Sequence, residues 1–130
     1  PLAEFELGPS LFRDGPYAGR VRHVALAHRG DRLLVFFTAI GDAPERVLMS
    51  SVSLTGDWTT WHAGEAIEVL RPEASYECVD LPNLPSEGGD IDGPAQQIRD
   101  PFVYQEDGTV VLFYSTCGEQ GIAGATLELR

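Results

Sequence analysis

Arg22-His23 and Arg99-Asp100 are the residue pairs whose types and spacing could do chemistry. They occupy the same place in two segments, Arg22 to Asp42 and Arg99 to Glu119, that align without a gap at a shift of 77. Where two such repeats face one cavity, an imidazole and a carboxylate would meet there, with two guanidinium groups beside them. Opposite charge favours the ionised carboxyl, so Asp100 suits a base or an orienting group rather than a proton donor. Glu77 is the contrasting case. Pro72 to Ile98 contains no basic residue, while Glu73, Glu77, Asp80, Glu87, Asp90 and Asp92 are acidic. Like-charged neighbours raise a carboxyl pKa, which suits a general acid. Arg22 and Arg99 have two readings: a bidentate grip on a ligand, or pairing with Glu or Asp to brace neighbouring repeats. No second His stands at ligand spacing, so the sequence calls for no cofactor and no dedicated metal site.

These residues need elements to hold them. Arg22, Phe36 and Gly41 meet Arg99, Phe113 and Gly118 at the common shift, and residue class is kept from Leu33 to Thr38 over Val110 to Ser115. After a two-residue adjustment, Val47 to Leu54 overlies Ile122 to Leu129. Each copy reads as three short strands. The inner strands are Val24 to Ala27 and Phe102 to Tyr104, followed by turns at Gly30-Asp31 and Asp107-Gly108. The second strands, Leu33 to Thr38 and Val110 to Tyr114, are nearly continuous apolar runs, as expected of strands covered on both faces. Ala66 to Leu70 reads as a fourth, outer strand of the first copy. No segment holds a capped helical period for ten residues, so the fold class is all-β.

Repeated short-stranded units joined by long loops predict β-propeller-type repeats in one domain, 1–130. Residues 22–70 form one blade, 71–98 an acidic Pro/Gly-rich loop, and 99–130 a second, incomplete blade. About two of five blades make a partial ring, whose open ends would expose apolar faces and strand edges. Association into a homo-oligomer, or the remainder of a longer propeller chain, is therefore expected. The first residues, Pro1 to Leu7, begin without Met and without the basic and apolar regions of a signal peptide, which also favours a piece of something longer. Trp58 and Trp61 are expected in the core between blades. Cys78 and Cys117 both fall at the pocket end, as free thiols or as a pair.

Composition narrows the partners. Nine Arg and no Lys against 20 acids give a net charge of -11, which repels phosphate backbones and anionic lipid heads. No nucleic acid and no membrane is expected as a partner, and no apolar run approaches the ~20 residues that a bilayer crossing needs.

The string Arg99-Asp100-Pro101-Phe102-Val103-Tyr104, then Asp107-Gly108 and Leu112-Phe113-Tyr114-Ser115, resembles the blade signature of five-bladed propeller glycosidases of the glycoside hydrolase family 43 type. Tyr76-Glu77, Gly118-Glu119-Gln120-Gly121-Ile122, Phe12-Arg13-Asp14-Gly15-Pro16 and Gly41-Asp42-Ala43-Pro44-Glu45-Arg46 look like the C-terminal half of uncharacterised bacterial members. The resemblance implies that Asp100 opens an innermost strand and points into an axial pocket, and that the parent protein hydrolyses a glycosidic bond with inversion. Such hydrolysis needs paired carboxyl groups about 6.5 to 9.5 Å apart. It implies Asp100 and Glu77 as the catalytic pair, with Arg99, Arg22, His23, Asp14, Tyr17 and Glu119 contacting carbohydrate. An axial calcium held through water stays an open alternative to no cofactor. The rival reading is a non-catalytic carbohydrate-binding or structural propeller fragment.

Overall fold

The protein, in a computed structural model, is described over residues 4–129; Pro1 to Ala3 and Arg130 lie outside the described residues. It is all-β. Strands β1 (Val21–Arg29), β2 (Arg32–Ala39), β3 (Val47–Ser53) and β4 (Ile67–Leu70) form one antiparallel sheet in that order. Strands β5 (Arg99–Glu106), β6 (Thr109–Thr116) and β7 (Gly121–Leu127) form a second. The sheets do not share a strand, and β1 of the first lies against β5 of the second. Among the described residues, no helix is long and apolar enough to cross a membrane.

Both inner hairpins turn on residues with positive φ, Gly30 in the first sheet and Asp107-Gly108 in the second. Tight hairpins need this region because its twist matches that of the flanking strands. The shift of 77 extends to an irregularity. In the first sheet Arg22 pairs with Thr38 and Ala25 with Phe36, so β1 carries one extra residue. In the second, Arg99 pairs with Ser115 and Phe102 with Phe113, with the same one-residue excess. His23 and Asp100 occupy these bulges at φ 51° and 48°. A non-glycine residue held there is strained, and a bulge at that point re-aims its side chain away from the strand's alternation.

The main core lies between the sheets, where Ala25, Ala27, Phe36 and Val47 of the first meet Leu112 and Tyr114 of the second, with Ile98 among them. The opposite face of the first sheet, at Phe37, Ala39 and Leu48, is covered by Phe12 and Tyr17 from the segment before β1. Strand β2 is thus buried on both sides, as its apolar run predicts. Strand β6 differs: Leu112 and Tyr114 are buried, whereas Phe113, on its other face, is exposed.

The acidic loop is ordered by both sheets. Gly41 N–H donates to the Ser86 carbonyl at 2.9 Å and Ser86 N–H to the Asp42 carbonyl at 3.0 Å, while Gly118 N–H donates to the Gln97 carbonyl at 2.9 Å. Cys78 and Cys117 form a disulfide across this junction, which corrects the free-thiol reading; both residues adopt positive φ.

Trp58 and Trp61 do not enter the core between the sheets. They flank a single 3-10 turn, Trp58–Thr60, capped by the Asp57 carboxylate, which accepts from Thr59 N–H at 2.9 Å. Trp58 is 44% exposed and its indole packs so close to Gly8 that any side chain there would collide with it. The Arg13 guanidinium donates to the Trp61 carbonyl at 2.6 Å. The tryptophans anchor the N-terminal segment, because the excursion from β3 to β4 runs along the sheet's outer edge.

The disulfide closes a stretch of 39 residues. Replacing both cysteines with Ser should lower unfolding free energy in urea by about 4 kcal/mol at most, as loop-closure entropy predicts. Loop amides between Pro72 and Pro94 should exchange faster, with those of β1 and β2 little changed.

Candidate functional site

The site grows from one buried carboxylate. Glu45, in the connection from β2 to β3, is completely buried. Its Oε1 accepts from Arg22 Nε at 2.9 Å, and its Oε2 accepts from Arg22 Nη2. Arg99 Nε lies 3.2 Å from the same Oε2. One carboxylate therefore binds an arginine from each sheet. Arg99, itself 2% exposed, also donates from Nη2 to Gln97 Oε1 at 2.8 Å and from Nη1 to Glu119 Oε1 at 2.8 Å.

Above this foundation the two bulges converge. His23 Nε2 is 3.4 Å from Asp100 Oδ1, and His23 Nδ1 is 3.1 Å from Thr38 Oγ1. Ser115, opposite Arg99 in the ladder, donates its hydroxyl to Asp100 Oδ2. A neutral imidazole with its proton on Nε2 satisfies both contacts, donating toward Asp100 and accepting from Thr38. Burial lowers the His23 pKa from its ordinary value; Asp100 opposes that shift, Arg22 adds to it, and Glu45 and Arg99 act more weakly in opposite directions. The Ser115 hydroxyl is engaged by the carboxylate and not by the imidazole, so this group is not arranged as an activated serine nucleophile. The Asp100 side chain is 50% exposed and points its charge at solvent and at His23.

The structure brings Arg22, His23, Arg99, Asp100 and Glu119 into one cluster and leaves the other sequence-predicted residues elsewhere. Arg22 and Arg99 take the bracing alternative, with Arg99 unable to reach a ligand because its guanidinium is enclosed by Glu45, Gln97 and Glu119. Glu119 is held by Arg99, with its side chain 37% exposed. Asp14 and Tyr17 line a separate cavity with Phe12 and Ala63, and the Tyr17 ring packs edge-on against Phe37 at 5.3 Å. They do not share a cleft with Asp100, because the segment carrying them covers the far face of the first sheet.

Glu77 requires the firmest correction. It is 3% exposed, and its carboxylate accepts from Glu73 N–H at 2.7 Å, Ala74 N–H at 2.9 Å and Tyr114 Oη at 2.7 Å. Its burial, with three donors already on it, closes it off from a glycosidic oxygen. Burial and the adjacent Glu77 carboxylate push the Tyr114 hydroxyl pKa well up, keeping that donor protonated. Glu77 pins the acidic loop to β6; the acidic run in the sequence carried no sign of a tyrosine 37 residues away.

Glu45 and Ser115 are the members that sequence reasoning missed. A signal for Glu45 existed: arginines at matched positions of two repeats need a shared counter-charge. The residue matched to Glu45 after the two-residue adjustment is Gln120, so the pairing is carried by one repeat alone. Among the described residues, no group of three or more His, Cys, Asp or Glu side chains is arranged to hold a metal ion.

Over 119 residues, 91% of this chain, the sequence is 46% identical to an uncharacterized protein of Acanthamoeba polyphaga mimivirus. The chain spans 33% of that protein's length. The relative is viral, where the resemblance had pointed to bacterial proteins. No family model and no solved structure matches the chain.

Two outcomes test this geometry. Glu45→Ala removes the counter-charge shared by two guanidinium groups, leaving Arg99 only Glu119, and should cost roughly 3–5 kcal/mol in urea unfolding, the range for breaking a buried pair. The folded-state pKa of His23 lies below its unfolded value of 6.5. Its contribution to stability is therefore complete above pH 6.5 and is lost as pH falls through the lower folded value. Thermal melts from pH 8 to 5 should show that loss, and His23→Gln should flatten that part of the curve.

Proposed function

We propose that this chain carries one half of a glycoside hydrolase-type site, built on propeller-type repeats, with Asp100 as its carboxyl group. The observation that carries the reading is the pair of matched bulges, which aim Asp100 and His23 at each other 3.4 Å apart while half of Asp100 stays accessible. Glycosidic hydrolysis requires a carboxylate that remains charged and a second carboxyl group across the bond. Asp100 is placed for the first role, half-exposed, with the Ser115 hydroxyl on one carboxylate oxygen and His23 beside the other. Its partner acid is not Glu77, so it comes from outside this cluster. Ser115 and His23 supply the mixed donors and acceptors that sugar hydroxyls bind.

A specific observation favours a second reading. Asp100 is the most exposed carboxylate of the cluster, Glu45 being buried and Glu119 held by Arg99, which suits a carbohydrate-binding module without turnover. Both readings make sugar recognition depend on Asp100.

Titration of the chain with a panel of oligosaccharides, followed by NMR, separates them. Asp100→Asn should weaken binding by about tenfold or more, as expected for hydrogen bonds to a charged group, with the melting temperature nearly unchanged. Release of reducing ends by the full-length viral relative supports the hydrolase, and binding without release by both proteins supports the module. A panel in which no sugar binds overturns both.

A further inference from the structure

The two sheets do not meet through like faces. The first sheet contributes Ala25, Ala27 and Phe36 to their interface and the second contributes Leu112 and Tyr114. At the shift of 77, Ala25, Ala27 and Phe36 correspond to Phe102, Tyr104 and Phe113, while Leu112 and Tyr114 correspond to Val35 and Phe37. The contact is therefore head to tail, one type of face on the opposite type, and any such stack ends with one unmatched face of each type. One end is closed, since Phe12 and Tyr17 pack on Phe37 with ring centroids 4.7 and 5.3 Å away. The other is open: Phe102 is 59% exposed, and Tyr104, Phe113 and Ile122 share its exposure.

We propose that this open face is a docking surface for a third sheet of the same repeat, supplied by polypeptide outside these residues. Contiguous exposed apolar surface of this kind marks an interaction site. A second copy of the chain does not fit it. The complementary face is taken in both sheets of any copy, by the first sheet at Leu112 and Tyr114 and by Phe12 and Tyr17 at Phe37. The viral relative has the necessary length. Its 119 matched residues are 33% of its chain, leaving about 240 residues, room for about three further units at the 77-residue spacing.

The consequence reaches the site. Head-to-tail packing sets Asp100, in the bulge of the second sheet, beside His23 in the bulge of the first. Repeating that step would set the bulge residue of the third sheet beside Asp100, whose carboxylate borders the open face along with Phe102, Phe113 and Ile122. This rests on the propeller reading above and supplies the position from which a second carboxyl group would enter.

Hydroxyl-radical footprinting of this chain and of the full-length viral relative tests the docking directly. In this chain, Phe102, Phe113 and Ile122 should oxidise as exposed residues, and sedimentation should give a monomer. In the relative, the side chains at the positions matching Phe102, Phe113 and Ile122 should oxidise at least tenfold more slowly. Equal oxidation in the two proteins would overturn the proposal. So would a dimer of this chain that Phe113→Glu or the milder Phe102→Ser dissociates, because the occupant would then be a second copy. Neither readout involves sugar, so a failed oligosaccharide titration leaves the docking result intact.

Discussion

Two arginines of like charge are held together by a single carboxylate, and the relation between the sheets depends on it. Arg22 belongs to β1, Arg99 to β5, and Glu45 to the connection between β2 and β3. Apolar packing of Phe36 on Leu112 and Tyr114 supplies attraction but little direction. The guanidinium fork and the carboxylate have fixed geometry, so they set how far one sheet slides along the other. Burying these charges is costly, and the cost is met only while all three are present. Glu119 and Gln97 complete the shell around Arg99, so its remaining donors are not left bare.

This foundation explains how a strained pair can be maintained above it. His23 and Asp100 sit at positive φ, a region that ordinary side chains avoid. The backbone on one side of each bulge is tied down by the arginine just before it, and on the other by the ladder that resumes at Ala25 or Phe102. With both flanks fixed, the intervening residue has no way to relax. Strain held in this manner at matched positions of two repeats points toward function rather than accident.

The repeat, the strands and the fourth strand of the first sheet are visible in the sequence because they are written in local alternation and in one constant shift. The position of His23 opposite Asp100 is visible for the same reason. What the sequence hides are contacts between segments of unlike pattern. Glu77 sits in an acidic stretch that suggests repulsion, yet Tyr114 and two backbone N–H groups reach it. Cys78 and Cys117 are likewise joined by the folding of an irregular loop with no periodicity to follow. Trp58 and Trp61 read as core by size alone, but the turn they flank is placed by Asp57 and Arg13, which are polar cues of short range.

The asymmetry between β2 and β6 is the most telling of these differences. Both are apolar along nearly their whole length, which is the pattern of a strand sealed on both faces. Only β2 is sealed within this chain, by the second sheet on one side and by Phe12 and Tyr17 on the other. Periodicity records the environment in which a strand is used, whereas burial within one chain records only the part of that environment the chain supplies. Phe102, Tyr104, Phe113 and Ile122 leave that face apolar and exposed, which is the ground for the docking proposed above, and the bulge at Asp100 lies along the same border. Under the docking proposed above, the Asp100 carboxylate and the apolar face beside it meet the same further sheet.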